Sequence, residues 1–149
     1  MSNEYQSDLL ISSLETFLIQ LQSHMGYSTQ KISSPANQHY ENGLLEEIVQ
    51  YINSHLYDPL PIESLCDNFA VSRSTLQNLF KNYMNITPKA YINHEKLNLS
   101  RLLIRDGKYS VTQVANLLGF NSIHYFSRKF TQKFHINPSE YAKKIYDQL

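Results

Sequence analysis

The sequence contains one cysteine, four glycines, five prolines and no tryptophan in 149 residues. A single cysteine, Cys66, excludes an internal disulfide framework and suits a reducing compartment. With 42% hydrophobic residues and so little glycine and proline, the chain is neither disordered nor fibrous. It has no run of about 18 apolar residues and no secretory signal pattern, so we expect a cytoplasmic protein of one domain or two small ones.

Features typical of an enzyme are also scarce. The six histidines are scattered without a His-x-x-x-His pair, and one cysteine cannot build a zinc cluster. There is no glycine-rich phosphate loop. Cys66 falls on the inward side of a short predicted helix, which favours a small core residue over a nucleophile. We therefore expect neither catalysis, nor a metal, nor a cofactor.

Positive charge is nearly absent from the first half of the chain. Residues 1–70 contain one basic residue, Lys31, against nine acidic ones, although the whole chain has a net charge of zero. Residues 71–149 contain twelve basic and four acidic residues, a balance of +8. This asymmetry indicates a basic binding surface in the second half, although a charged stretch can also be a merely solvated face.

The stretch from Val111 to Tyr141 predicts a helix, a tight turn, a second helix and a short third one. Four apolar residues recur at the spacing of one helix face, namely Val111, Val114, Ala115 and Leu118. Gly119 suits a left-handed helix end, and Ser122 can cap the next helix. In that helix the core side is Tyr125, Phe126, Phe130 and Phe134. Asn137 and Pro138 then start the last helix. Two helices joined in this way form a helix-turn-helix, whose second helix enters the DNA major groove.

This stretch resembles the signature of the AraC/XylS family of transcription regulators. The matching positions are Gly119-Phe120, Ser122, Tyr125-Phe126-Ser127-Arg128, Phe130 and Pro138-Ser139-Glu140-Tyr141. One departure is His135, where the family usually has glycine. We expect the turn at His135 to be made in another way.

The pattern occurs twice. Three apolar residues, Ile62, Leu65 and Cys66, match Val111, Val114 and Ala115 at an offset of 49 residues. Five further residues match identically at an offset of 50: Ser72, Phe80, Ile86, Pro88 and Tyr91. The extra residue of the second copy falls in its turn. Asn85 stands where the first copy would have the family's glycine, and asparagine tolerates the left-handed conformation well.

The remaining stretches complete an all-α fold. Residues 4–24 predict an amphipathic helix within an N-terminal segment 1–26, which resembles the tail of a sensor or dimerisation domain. Residues 27–40 predict a linker, and residues 42–56 predict a helix. The resemblance implies a DNA-binding domain over 41–149, with homeodomain-like helix-turn-helix units at 61–84 and 111–134. It also implies that a long helix, 88–106, ties the two units together.

The candidate site residues lie on the two recognition helices. By the resemblance, base readers fall at Ser74, Gln77, Asn78, Ile123, His124, Ser127 and Arg128. Phosphate contacts are expected from Ser72, Arg73, Lys81, Lys89, Ser122, Lys129 and Lys133, with Lys96 and Arg101 as further candidates. Glutamine and asparagine suit adenine, arginine suits guanine, and a helix N-terminus suits phosphate. The alternative interpretation is that these are ordinary solvated helix residues.

We expect a sequence-specific DNA-binding regulator that reads double-stranded DNA with both helices. The resemblance favours an activator that contacts RNA polymerase, and residues 4–24 favour a homodimer. The alternative is a helical interaction or adaptor module that has kept the fold without binding DNA. The neutral total charge leaves this alternative open.

Overall fold

The computed structural model describes residues 34–147, and these residues form seven helices joined by turns. Their bounds are α1 Pro35–Ser54, α2 Ile62–Asn68, α3 Arg73–Met84, α4 Pro88–Asp106, α5 Val111–Leu117, α6 Ile123–Phe134 and α7 Pro138–Tyr146. The expected all-α class is confirmed. The predicted helix at 4–24 lies outside the described residues. None of the seven helices combines the length and apolarity needed to cross a bilayer.

The first described helix begins earlier than the sequence indicated. α1 starts at Pro35, whereas we expected residues 27–40 to be a linker and the helix to start near residue 42. Residues 35–40 are therefore helical, and this part of the linker assignment is wrong. The physical reason is that proline at the first turn of a helix loses no hydrogen bond, so Pro35 starts the helix.

The chain divides into two compact units. Among the described residues, unit 1 contains residues 34–51 and Pro61–Ala90, and unit 2 contains Ile52–Leu60 and residues 91–147. In unit 1, α2 packs against α3. The buried apolar side chains of unit 1 are Leu45, Ile48, Leu65, Leu76, Leu79, Phe80 and Met84.

The core of unit 2 lies between α4, α5 and α6, with α7 packed on α5 and α6. Its buried members are Leu97, Ile104, Val114, Ala115, Leu118, Phe120, Phe126 and Phe130. Aromatic rings form a continuous series through this core. Ring centroids lie 5.0 Å apart for Phe120 and Phe126, 5.7 Å for Phe126 and Phe130, and 4.6 Å for Phe130 and Phe134. These rings fix the inward face of α6.

The two helix-turn-helix turns use the same backbone hydrogen bonds. After α5, the amide of Phe120 donates to the carbonyl of Ala115 at 3.0 Å, with left-handed Gly119 between them at φ +71°. After α2, the amide of Val71 donates to the carbonyl of Cys66 at 3.0 Å, and here Ala70 is left-handed, at φ +51°. Both turns are Schellman motifs. The extra residue of the second copy, Asn121, follows the motif.

The recognition helices also end alike. Asn85 closes α3 and His135 closes α6, with φ of +55° and +57°. Asn85 adopts the left-handed conformation, as expected. Our expectation that the turn at His135 would be made in another way is wrong, because the histidine itself adopts the left-handed conformation. His135 donates its amide to Thr131 at 2.9 Å, as Asn85 does to Lys81 at 3.1 Å.

Candidate nucleic-acid interface

The first candidate recognition helix is α3, and its two faces separate cleanly. Ser72 caps it by accepting a hydrogen bond from the amide of Thr75 at 3.1 Å. The inward face consists of Leu76, Leu79, Phe80 and Met84, all buried. The predicted base readers Ser74, Gln77 and Asn78 are all exposed. The amphipathic order of the sequence therefore leaves a polar, uncharged ridge on α3 facing water.

Two cationic side chains flank this ridge. Arg73 lies at the start of α3, where its guanidinium is 3.4 Å from the Glu63 carboxylate. Both side chains are about two-thirds exposed, at 66% and 67%. An ion pair this exposed is weak, so it can yield to a phosphate. Lys81 is exposed in the last turn of α3.

The second candidate recognition helix, α6, begins in the same way. Ser122 accepts a hydrogen bond from the amide of Tyr125 at 3.0 Å. His124 and Arg128, four residues apart and thus on one face, are exposed. Ser127 is half-buried, and its carbonyl accepts a hydrogen bond from the Thr131 hydroxyl at 2.8 Å.

Ile123 is placed differently from the expectation. Its side chain is half-buried and packs against the core of unit 2. Only its remaining surface is available to a thymine methyl group. A residue at the first position of a helix can reach back to the core when the preceding turn brings it close. Helical periodicity alone does not show this.

The Tyr125 ring lies close to two cationic side chains of α6. The Arg128 guanidinium carbon lies 5.6 Å from the Tyr125 ring centroid, and the Lys129 ammonium lies 5.8 Å from it. Cations over an aromatic face are attracted by its quadrupole. The half-buried ring therefore holds two positive charges beside the polar ridge of α6.

A shallow recess of about 370 Å³ adjoins this ridge. It is lined by Ser127, Arg128, Thr131, Gln132 and Asn137. Gln132 and Asn137 were not among the predicted site residues. Gln132 follows Arg128 by one helical turn, which could have signalled it. Asn137 reaches the recess from the turn before α7, which sequence spacing could not show.

The lysines predicted to contact phosphate separate into two groups. Lys89 is exposed and Lys129 half-buried near the surface. Lys133 instead donates to the His94 carbonyl at 3.0 Å and to the Asn98 side-chain oxygen. Lys96 is 7% exposed, so it cannot contact phosphate without moving. Our assignment of Lys96 is wrong because its flexible stem folds inward, and we leave Lys133 out of the contact set.

The described residues offer no set of side chains for a metal ion. Within residues 34–147, no group of three or more histidine, cysteine, aspartate or glutamate side chains could hold a metal ion. Cys66 is free and half-buried.

Comparison with known proteins decides the family. A family model described as "Helix-turn-helix domain" matches residues 65–144, which is more than half of the chain. The chain belongs to the AraC family of helix-turn-helix regulators. Its relatives include the regulatory protein PocR of Salmonella typhimurium, 29% identical over 101 residues, which cover 68% of this chain and 33% of PocR.

A second relative is the HTH-type transcriptional regulator AlkR of Acinetobacter baylyi. It is 30% identical over 100 residues, covering 67% of this chain and 33% of AlkR. A solved AraC-type transcriptional regulator from Chromobacterium violaceum is 28% identical, with a TM-score of 0.65 over 72% of this chain and 96% of that one. The chain therefore spans about a third of the length of PocR and AlkR. PocR and AlkR are named as regulators, and the family is one of DNA-binding regulators and not of enzymes, as expected.

Proposed function

We propose that this chain binds double-stranded DNA through α3 and α6, which enter successive major-groove segments about 34 Å apart on one side of the duplex. The observation that carries this proposal is the duplicated helix-turn-helix. Both recognition helices begin at a capping serine, end at a left-handed residue and expose polar side chains, at an offset of 50 residues. One chain could then read an asymmetric site.

The proposed roles follow from chemistry and exposure. Gln77 and Asn78 can each make two hydrogen bonds to adenine, and Arg128 can make two to guanine. Ser74, His124, Ser127 and the exposed part of Ile123 complete the base-reading set. Phosphate contacts are assigned to Ser72, Arg73, Lys81, Lys89, Ser122 and Lys129. Such contacts position the protein without reading sequence.

Activation of transcription through contact with RNA polymerase is the outcome that the family resemblance favours, and we propose it for this protein. Homodimerisation through residues 4–24 is a separate proposal. It is tested by sedimentation of the chain with and without residues 1–30. Equal sedimentation behaviour after correction for mass would refute the dimer.

The central experiment is selection of bound duplexes from a random pool, followed by a salt titration on the selected duplex. Four proposed cationic phosphate contacts, Arg73, Lys81, Lys89 and Lys129, predict a slope of log affinity against log salt of about −3.6. Enrichment of one sequence with this steep slope supports the proposal. No enrichment, or binding that does not depend on salt, would support the adaptor alternative.

A further inference from the structure

Lys96 places a positive charge inside unit 2. It is 7% exposed, and among residues 34–147 it is the one charged side chain that is buried. Its ammonium donates to the carbonyl of Leu118 at 2.8 Å and to the carbonyl of Asp58 at 3.2 Å. Burial lowers the pKa of Lys96, and the nearby Asp58 charge partly offsets this. The Leu118 carbonyl belongs to the turn that leads into α6.

Lys133 makes the reciprocal connection at the other end of α6. Its ammonium donates to the carbonyl of His94 at 3.0 Å and to the side-chain oxygen of Asn98, both on α4. The same ammonium lies 5.3 Å from the Phe134 ring centroid, and the guanidinium of Arg101 lies 5.1 Å from it. The turn before α6 and the last turn of α6 are therefore both fastened to α4 by a lysine.

Electrostatics explain why these lysine contacts hold α6 and the turn before it in place on α4. A buried ammonium is tolerated only when hydrogen bonds replace its lost water, and hydrogen bonds from a charged donor are stronger than neutral ones. Moving the turn away from Lys96 would leave the charge without its acceptors. Replacing Lys96 by an apolar side chain would leave the carbonyls of Leu118 and Asp58 without their donor.

In unit 1, the corresponding connections to α1 have neutral donors. Tyr83, which lies 50 residues before Lys133, donates its hydroxyl to the Glu41 carboxylate on α1 at 2.9 Å. At the preceding turn, the Asn68 amide donates to the Tyr51 hydroxyl at 2.9 Å. At the position where unit 2 has Lys133, unit 1 therefore has a neutral donor, Tyr83.

We propose that Lys96 and Lys133 form a lysine clamp that sets the position of α6 on α4 and thereby the choice of base sequence, without touching DNA. This inference rests on the proposed function, since it assigns α6 a DNA-reading role. The clamp lysines are positioning residues. The competing interpretation, which their charge alone would favour, is that they contact phosphate.

The experiment compares Lys96→Met and Lys133→Met with Lys129→Met, in the full chain. Lys129→Met removes a proposed phosphate contact, and Lys108→Met removes an exposed lysine paired with Asp106, outside both sets. Each variant is titrated with the selected duplex and with a random duplex over a salt series. Lys96→Arg tests rescue, because arginine keeps a permanent charge and several donors.

The clamp predicts that both clamp variants lose about tenfold in affinity for the selected duplex while binding the random duplex as before. Their salt slope stays that of the parent, whereas Lys129→Met lowers it by about 0.9. Lys96→Arg retains the preference for the selected duplex. An equal loss on both duplexes with a reduced slope, or no loss at all, would overturn the clamp.

Hydrogen exchange gives a measurement that does not need DNA. The amide of Phe126 donates to the Ser122 carbonyl at 3.0 Å in α6, and the amide of Leu76 donates to the Ser72 carbonyl at 3.0 Å in α3. Lys96→Met should speed exchange at Phe126 and leave Leu76 unchanged. If the parent prefers no duplex, the proposed function fails and the specificity role with it. If the parent prefers one and exchange at Phe126 is unchanged, the clamp alone fails. Should Lys96→Met not fold, Lys133→Met and Lys96→Arg decide the outcome.

Discussion

Ala70 and Gly119 occupy the same position in the two helix-turn-helix turns, and both are left-handed, with φ of +51° and +71°. Only glycine adopts this conformation without steric cost, so the first turn carries strain that the second lacks. The hydrogen bonds of the turn hold Ala70 in place.

Ala70→Gly should therefore stabilise the protein by about 1 kcal/mol, since the relief of strain exceeds the added entropy of the unfolded chain. Gly119→Ala should destabilise it by a similar amount. A Cβ atom at Gly119 would lie 3.6 Å from the Lys96 ammonium, an ordinary contact, so the cost is conformational. Urea denaturation measures both variants, and a destabilised Ala70→Gly protein would contradict the strain argument.

The left-handed residues that end α3 and α6 provide a second comparison. His135→Gly should raise the free energy of unfolding by about 0.5–1 kcal/mol, and Asn85→Gly should raise it less, because asparagine tolerates this conformation better. Chemical denaturation of the two variants under one condition checks the order. The reverse order would show that the His135 side chain stabilises the turn.

Tyr83 and Tyr91 are expected to contribute to stability at alkaline pH. Burial, together with the hydrogen bond and charge of Glu41, raises the pKa of Tyr83 to about 12, and burial with the charge of Glu95 raises that of Tyr91 to about 12. The folded state keeps these protons above pH 10, where the unfolded chain loses them. This stability is fully present below pH 10 and is lost as the pH rises through about 12.

Tyr83→Phe should therefore flatten the fall in urea midpoint between about pH 10 and pH 12. Lys96 acts in the opposite sense, because burial lowers its pKa in the folded state. Its contribution to the free energy of unfolding therefore rises with pH until the pH reaches the ordinary lysine pKa of 10.5. A Tyr83→Phe protein with the parent's alkaline profile would rule out the Tyr83 contribution.

Arg128 is expected to read a base. Arg128→Ala should cost about 1–3 kcal/mol on the selected duplex and relax the choice at one or two positions. Competition binding against duplexes changed at single positions measures this. A uniform loss on every duplex would instead identify Arg128 as a phosphate contact. Lys129→Ala is the matched control, because its charge lies over the same Tyr125 ring.

The sequence predicted the features that depend on nearby residues. Capping by Ser72 and Ser122 and the bounds of the long helix Pro88–Asp106 follow from local hydrogen bonding, and the structure has them as predicted. The early start of α1 was missed because Pro35 was interpreted as part of a linker. The left-handed His135 was missed because the surrounding turn overrides the residue's own preference.

Long side chains were the less predictable part of the candidate site. Lys96 and Lys133 each have a flexible stem, and whether it extends to solvent or to a carbonyl depends on the packing of helices distant in sequence. Ile123 packs against the core because the preceding turn brings the first residue of α6 close to it. By contrast, helical periodicity predicts the exposure of Gln77, Asn78 and Arg128. The apolar residues of the same helices take up the face that packs on the core, so these polar residues lie on the face toward solvent.

The series of tilted aromatic rings from Phe120 to Phe134 lies only on the inner side of α6. The outer side contributes little to that series of rings, so its polar residues should be exchangeable while the folded framework persists. Transplanting the outer residues of a related regulator onto this helix should change only the half of the DNA site that α6 is proposed to read, and leave the half proposed for α3 as before. New specificities in such a protein can therefore arise by few substitutions and without a passage through unfolded intermediates.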